Sequence, residues 1–343
     1  MTNLQEDMKR VKARVDDLIL TELIPKASGT KEVDLLYTMM RDYPGRQAKG
    51  MRPFLCVTAC KAAGGSEDDS LLTAACIELF QNWILIHDDI EDGSELRRGE
   101  PSLHRKYNVA LALNTGDALH ARTWEALLRN QERLGVGRTL LVMKEFSRMV
   151  NETTEGQHME LGWVTSRRWD LSERDYYEMC TKKTSWYTIA SPCRLGAIVA
   201  GAAGPILDSL REYGIKLGIA FQIQDDALNL VGDQVKFGKA KSDDILEGKR
   251  TLILLHLLST LGEGERDKVI SIMNKDRGAK TAADVEHVMA LIDRQDAVGF
   301  ARKRASELMN EALAILNEIS WKGDREAAET LAEFSRFAVE REW

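Results

Sequence analysis

Proline is scarce, at 6 of 343 residues, so the chain carries few of the residues that interrupt helices. Cysteine occurs five times, at Cys56, Cys60, Cys76, Cys180 and Cys193, an odd number without CxxC spacing. That argues against a disulfide framework and for reduced, buried thiols in a cytoplasmic protein. Cys56 and Cys60 share a helix face, but two thiols alone make a poor zinc site. Excess positive charge is also missing. The formal charge of −7 and a pI near 5.6 speak against general nucleic-acid binding, so any anionic ligand must be met by a local cluster of Lys and Arg. Long hydrophobic runs are absent too. The longest, from Leu195 to Leu207, is too short and glycine-rich to span a bilayer, so no transmembrane segment is expected. The first twenty residues are charged throughout, unlike a signal peptide. No stretch alternates convincingly with period two, and neither a polar linker nor a fixed-period repeat divides the chain.

What remains is helix. Apolar residues recur at helical spacing in 3–24, at Met8, Val11, Val15 and Leu18. Further helices are predicted over 30–43, 53–63, 68–92, 102–112, 115–134, 137–162, 172–201, 206–231, 249–262, 265–275, 282–318 and 323–341. The stretch 282–318 should break near Ala297-Val298-Gly299. The breaks fall at turn signals such as Tyr43-Pro44-Gly45, Gly64-Gly65 and Gly232-Asp233. The expectation is an all-α protein, whose length allows one large domain or two ordinary ones.

The segment ELFQNWILIHDDIEDGSELRRGEP, from Glu78 to Pro101, concentrates the chemistry. On a helix Asp88 and Asp92 lie on one face, about 6 Å apart along the axis. Like charges so placed repel, and acids at a helix C-terminus oppose its dipole. A solvated acidic helix end is the plain alternative. A local cost directly after a very apolar run favours function, and oxygen ligands suit Mg²⁺. Arg97 and Arg98 follow, with forked donors that fit phosphate oxygens. Metal and guanidinium together point to a diphosphate substrate. IHDDIED at 86–92 is echoed by IQDDALN at 223–229, where Asp225, Asp226 and Asn229 close a second apolar run. Alone the second pattern is ambiguous. As a pair, two acidic helix ends could hold several Mg²⁺ around one diphosphate.

Basic residues beside glycine, proline or acidic turns are the remaining candidates: Lys49 and Arg52 in QAKGMRP, Lys183 in CTKKTSWYT, Lys239 and Lys249 in FGKAKSDDILEGKRT. Singly, each reads as solvated surface. The segment from Gly232 to Lys239 fails as a nucleotide-binding loop, because five residues separate its glycines and Ala240 stands where Ser or Thr is required. His87 beside Asp88 lacks the further His and Asp ligands of a phosphohydrolase centre, so a structural histidine is the better reading.

The ordered set KGMRP, DDIED with SELRRGEPSLH, EGQHMEL, KTSWYT, FQIQDDALNLVGD and DDILEGKRT resembles the trans-isoprenyl diphosphate synthases of the polyprenyl synthetase family, from about Lys49 to Arg341. It is most like the short-chain geranylgeranyl and farnesyl diphosphate synthases. The resemblance implies a single polyprenyl synthetase domain over 1–343, a barrel of about ten core helices around a deep central cavity, the isoprenoid synthase fold, usually as a homodimer. It implies a Mg²⁺-dependent prenyltransferase, with three Mg²⁺ per active site, that condenses isopentenyl diphosphate with dimethylallyl, geranyl or farnesyl diphosphate. By the same resemblance Asp88, Asp92 and Asp225 would bind metal, with Asp226 and Asp244 in support. Arg97, Lys183, Thr184, Gln222, Lys239 and Lys249 would hold the allylic diphosphate. Lys49, Arg52, Gln81 and Arg98 would hold isopentenyl diphosphate. The sequence departs from the family pattern at Gly50, where Arg is common, at Gln81 for His, at Asn229 for the last Asp of the second motif, and at Glu160 for Asp.

Five residues before Asp88 stands Trp83, and four before it Ile84. Five residues are about 7.5 Å of helix, which would set Trp83 deeper, where a growing tail would meet its indole. A core tryptophan is the competing reading. As a floor it implies a short product, geranylgeranyl diphosphate, with farnesyl diphosphate as the alternative. Two other readings compete. A class I terpene cyclase typically has an Asn/Ser/Glu second metal motif and does not need the Lys49/Arg52 site. A non-catalytic partner subunit is disfavoured by the intact Asp88, Asp92 and Asp225.

Overall fold

The computed structural model describes residues 3–202, 204–231 and 242–341. The α-helices are α1 Asn3–Leu18, α2 Lys31–Gly45, α3 Met51–Ala62, α4 Glu67–Glu91, α5 Leu103–Lys106, α6 Val109–Leu128, α7 Gln131–Thr165, α8 Glu173–Cys180, α9 Ser191–Val199 and α10 Gly204–Val231. They continue with α11 Asp243–Glu247, α12 Leu252–Thr260, α13 Glu263–Met273, α14 Ala282–Arg294, α15 Ala297–Asn317 and α16 Arg325–Glu340. The strands are β1 Leu96–Arg97 and β2 Glu100–Pro101, a single antiparallel hairpin. The chain is all-α, as its sequence predicts.

Two compact units divide it. The first comprises 1–148, 188–211 and 318–334; the second comprises 149–187, 212–317 and 335–343. In the first unit α4 packs against α6 and α3, and α3 against α9. α4 begins at a reciprocal cap, in which Ser66 accepts from the Asp69 N–H and Asp69 accepts from the Ser66 N–H. It then runs buried on nearly every side from Thr73 to Trp83, which is why its sequence reads as an apolar run rather than a stripe. In the second unit α12 packs against α15 and α14, and α14 against α15.

The structure differs from the sequence reading at several places: Ile19–Leu23 is π-helical within the predicted 3–24, and the break expected between 112 and 115 falls instead between α5 and α6. Pro44 lies inside the last turn of α2 instead of beyond it. Thr181–Ala190 is π-helical, between α8 and α9, within a stretch read as one helix. The break expected between 134 and 137 is present, since α7 joins two helical segments across Gly135, whose φ of 73° is outside the helical region. Among the described residues no helix is long and apolar enough to cross a membrane.

Candidate active site

The first acidic segment lies in the first unit. α4 ends with Asp92 as its cap and Gly93 at φ 63°. The Ser94 N–H donates to the Asp89 carbonyl at 2.9 Å and the Gly93 N–H to that of Ile90 at 3.3 Å, the double closure that a left-handed glycine allows. This stop turns the chain into the hairpin. Arg98 and Gly99 both have positive φ, 54° and 79°, matching a two-residue turn between β1 and β2.

Within DDIED the carboxylates differ. Asp88 and Asp92 are partly exposed, whereas Asp89 is fully buried. Asp89 accepts from the Tyr43 hydroxyl at 2.5 Å and from Arg97 Nε at 2.9 Å, and a second close contact comes from Arg97 Nη2. Arg97 Nη2 also reaches Asp88 at 3.2 Å. Burial opposes the charge on Arg97, but Asp89 and Asp88 outweigh it and raise the pKa above the usual guanidinium value. Burial, with the Asp89 charge, raises the Tyr43 phenol as well. The same hydroxyl accepts the Leu103 N–H at 3.0 Å. Arg46 stacks 4.5 Å over the Tyr43 ring and donates to the carbonyls of Arg97 at 2.8 Å and Pro101 at 2.9 Å, pinning the hairpin.

The hairpin sends its two arginines to different partners. Arg98 donates to the Tyr43 carbonyl at 2.9 Å. Its pKa is lowered by burial and by the charges of Arg97, Arg52 and Arg46, so the first unit gathers guanidiniums closely enough to repel one another. Such a cluster favours a bound anion. Arg52 donates to Thr188 Oγ1 at 2.9 Å, and Lys49 is partly exposed just before α3. Gln81 is buried on α4, and its Oε1 has no hydrogen-bond partner among the described residues. Amide oxygen and nitrogen are interchangeable by a flip, so this orphaned end can present N–H donors to a phosphate. Gly50 caps α3 at φ 64°, and a Cβ there would stand 2.7 Å from the Cβ of Lys12. Both facts explain why this chain has glycine instead of arginine.

The second acidic segment lies in the second unit, on the later part of α10. The Asp225 side chain is 40% exposed and accepts from Arg341 Nη2 at 2.7 Å. Arg341 is held by its stack 4.4 Å over Phe221. Asp226, next in sequence, is buried. It accepts from the Tyr176 hydroxyl and from Gln222 Nε2, each at 2.7 Å, and Gln222 Oε1 accepts from Thr184 Oγ1 at 2.6 Å. Burial, then the nearby Asp244, pushes the Asp226 carboxyl well above the ordinary range. Asn229 Oδ1 accepts the Asp244 N–H at 3.2 Å. A carboxamide does this without adding charge beside Asp226 and Asp244. Lys183 pairs closely with Glu160, while Lys249 lies 2.7 Å from Glu247 and 3.8 Å from Asp244. Gly156 on α7 lets the π-helical stretch approach, since a Cβ there would stand 2.1 Å from the Lys183 nitrogen. Lys239 lies outside the described residues.

Each expected site residue that the structure describes thus falls into one of two groups. Lys49, Arg52, Gln81, Trp83, Ile84, Asp88, Asp92, Arg97 and Arg98 belong to the first unit, and Lys183, Thr184, Gln222, Asp225 and Lys249 to the second. Tyr43, Arg46, Tyr176 and Arg341 hold the acids in place and were not read from the sequence, where nothing marks a tyrosine or arginine as the partner of a distant Asp. The donors fit Mg²⁺. Asp88, Asp92 and Asp225 offer reachable carboxylate oxygens, and among the described residues no three metal-binding side chains converge into a closed cage. Mg²⁺ keeps waters and is commonly held by one or two carboxylates plus substrate phosphates, so partly exposed carboxylates of this kind suit it.

The polyprenyl synthetase family profile matches residues 33–292. The short chain isoprenyl diphosphate synthase of Methanothermobacter thermautotrophicus is 35% identical over 297 residues, 86% of each chain. The solved structure of geranylgeranyl pyrophosphate synthetase from Pyrococcus horikoshii Ot3 superposes with a TM-score of 0.85 at 31% identity, covering 98% of this chain and 99% of that one. Geranylgeranyl pyrophosphate synthase from Corynebacterium glutamicum, solved with isoprenyl diphosphate and magnesium, gives 0.89 at 26% identity, covering 99% of both. The all-α architecture is the isoprenoid synthase fold, and the chain belongs to the polyprenyl synthetase family.

Proposed function

We propose that this chain is a Mg²⁺-dependent prenyltransferase. It joins isopentenyl diphosphate to dimethylallyl, geranyl or farnesyl diphosphate by ionisation, condensation and elimination, with geranylgeranyl diphosphate as its main product. The observation that carries this reading is the sorting of DDIED: Asp89 is fully buried against Tyr43 and Arg97, while Asp88 and Asp92 are partly exposed. Asp88, Asp92 and Asp225 are the metal ligands, and residues 1–343 form a single polyprenyl synthetase domain. Three bound Mg²⁺ would supply positive charge opposite the departing diphosphate.

Arg97, Lys183, Thr184, Gln222, Lys239 and Lys249 bind the allylic diphosphate and stabilise the negative charge that develops as it leaves. Lys49, Arg52, Gln81 and Arg98 bind isopentenyl diphosphate and hold its double bond near the allylic cation. The buried apolar side chains of α4, among them Leu79, Phe80 and Ile86, keep water from that cation. A proton then passes to the released diphosphate, and the chain is one five-carbon unit longer. Incubation with isopentenyl diphosphate and each allylic starter, followed by chromatography of the dephosphorylated products, tests the reading. Elongation that EDTA abolishes is expected. No elongation with Mg²⁺ would overturn it and favour a partner subunit.

A twenty-carbon product is supported by the names of the two solved structures and by Trp83, which is 6% exposed on α4 one turn and a half before Asp88. Farnesyl diphosphate is the competing product. Trp83→Ala is expected to lengthen the product, and an unchanged product spectrum would reject Trp83 as the floor.

The quaternary state we infer is a homodimer. α6 and the first half of α7 expose Val109, Leu113, Leu128, Val136, Leu140 and Leu141, an apolar display that a second copy would cover. The five free cysteines are buried, which supports a cytoplasmic location.

A further inference from the structure

Trp83 does not hold its own orientation. Its Nε1 is buried with no hydrogen-bond partner among the described residues, so no hydrogen bond fixes the indole and packing must. Phe80 meets it edge-on at 5.2 Å and His87 at 6.3 Å. The closest of these rings is the imidazole of His120 on α6, stacked at 4.0 Å between centroids and 19° between planes.

His120 is itself fixed. Trp124, one turn further along α6, donates its Nε1–H to His120 Nε2 at 2.7 Å. Accepting there requires an unprotonated Nε2. Burial and the neighbouring His87 lower the His120 pKa against the opposing charge of Asp117, which suits the neutral ring. Trp124 is braced edge-on by Phe146 at 5.6 Å. Gly116, one turn before His120, sets the approach of α6 to α4: a Cβ there would stand 2.3 Å from His87 Nε2. The absent side chain lets α6 come close enough to lay His120 over Trp83.

We propose that His120 and Trp124 are positioning residues for product length: Trp124 orients His120, and His120 clamps the Trp83 indole as the floor met by the growing chain. The inference rests on the reading of Trp83 as that floor. It differs in assigning the limit to a relay from α6 instead of to one residue on α4.

The test compares product-length distributions of wild type, Trp83→Ala, Trp124→Phe and the double variant, with kcat recorded for each. Trp124→Phe keeps a ring against Phe146 but removes the N–H donor. It is expected to raise the share of product one unit longer about two- to tenfold, the range a ring-stacking contribution implies, with kcat little changed. The double variant should match Trp83→Ala alone, because the relay acts only through the indole. If Trp124→Phe does not fold, His120→Ala supplies the same comparison. An unchanged distribution in the folded single variant overturns the relay while a lengthened Trp83→Ala product leaves the floor standing. Additive lengthening in the double variant also overturns it, since the side chains would then limit the product independently. If Trp83→Ala leaves the distribution unchanged, floor and relay fall together.

Discussion

Asp88 and Asp89 are adjacent and chemically alike, yet their surroundings give them different work. Asp89 is buried against Tyr43 and Arg97, so its carboxylate is structural. Removing its charge leaves Arg97 buried without its main partner, and breaking such a pair costs about 3–5 kcal/mol. Asp89→Asn should therefore lose stability of that order in urea denaturation. Asp88 keeps 19% of its side chain exposed and meets Arg97 at the longer distance of 3.2 Å, so its pair is worth less, about 1 kcal/mol. Asp88→Ala should unfold close to wild type while kcat/KM falls roughly 10²- to 10³-fold, as when one stabiliser of developing charge is removed. Equal stability losses in the two variants would contradict the division. The accessible acids were legible in the sequence because i and i+4 place them on one face. The partner of Asp89 was not, because Tyr43 lies 46 residues away and is an ordinary helix residue by composition.

At the scale of elements, periodicity found the helices and missed the departures from it. Ala297-Val298-Gly299 did mark a break, between α14 and α15. The π-helical turn at Thr181–Ala190, which carries Lys183 and Thr184, has no composition of its own; it arises where the chain packs against Gly156. The β1–β2 hairpin is two residues per strand, too short to show alternation, although Arg98-Gly99 marks its turn. Capping boxes are more readable. Thr281 and Asp284 cap α14 reciprocally, and Lys275 adds 2.8 Å contacts to both carboxylate oxygens of Asp284. The Lys275 contact, then the Thr281 hydrogen bonds, lower the Asp284 pKa to about 2. The folded value lies below the unfolded one, so Asp284 stabilises the fold above the ordinary carboxylate range. That contribution is lost as pH falls through about 2. Asp284→Asn should melt below wild type at neutral pH, with the difference shrinking as the solution is acidified below about pH 4. Parallel melting curves across that range would rule the cap out as a source of pH-dependent stability.

For the whole molecule, the informative surface is apolar rather than charged. A chain with net charge −7 should keep its surface polar, yet Val136 and Leu140 are 65% and 60% exposed on one stretch of α7, and Val109, Leu113 and Leu128 are exposed on α6. Scattered apolar residues need no explanation, but several large ones on two consecutive helices leave water-exposed area that association would remove. In the homodimer proposed above a second copy covers these side chains, because a two-fold arrangement presents the same surface to itself. Leu140→Glu places a charge in that patch, where a symmetric partner would bring an identical charge. Light scattering on the eluting protein should then fall from twice 38.6 kDa to the single-chain mass, while the wild-type melting temperature rises with protein concentration. The substituted side chain is exposed in the single chain, so its fold should remain intact by circular dichroism. A Leu140→Glu protein that keeps the wild-type mass would place the subunit contact elsewhere, and a wild type of single-chain mass at every concentration would remove the dimer itself.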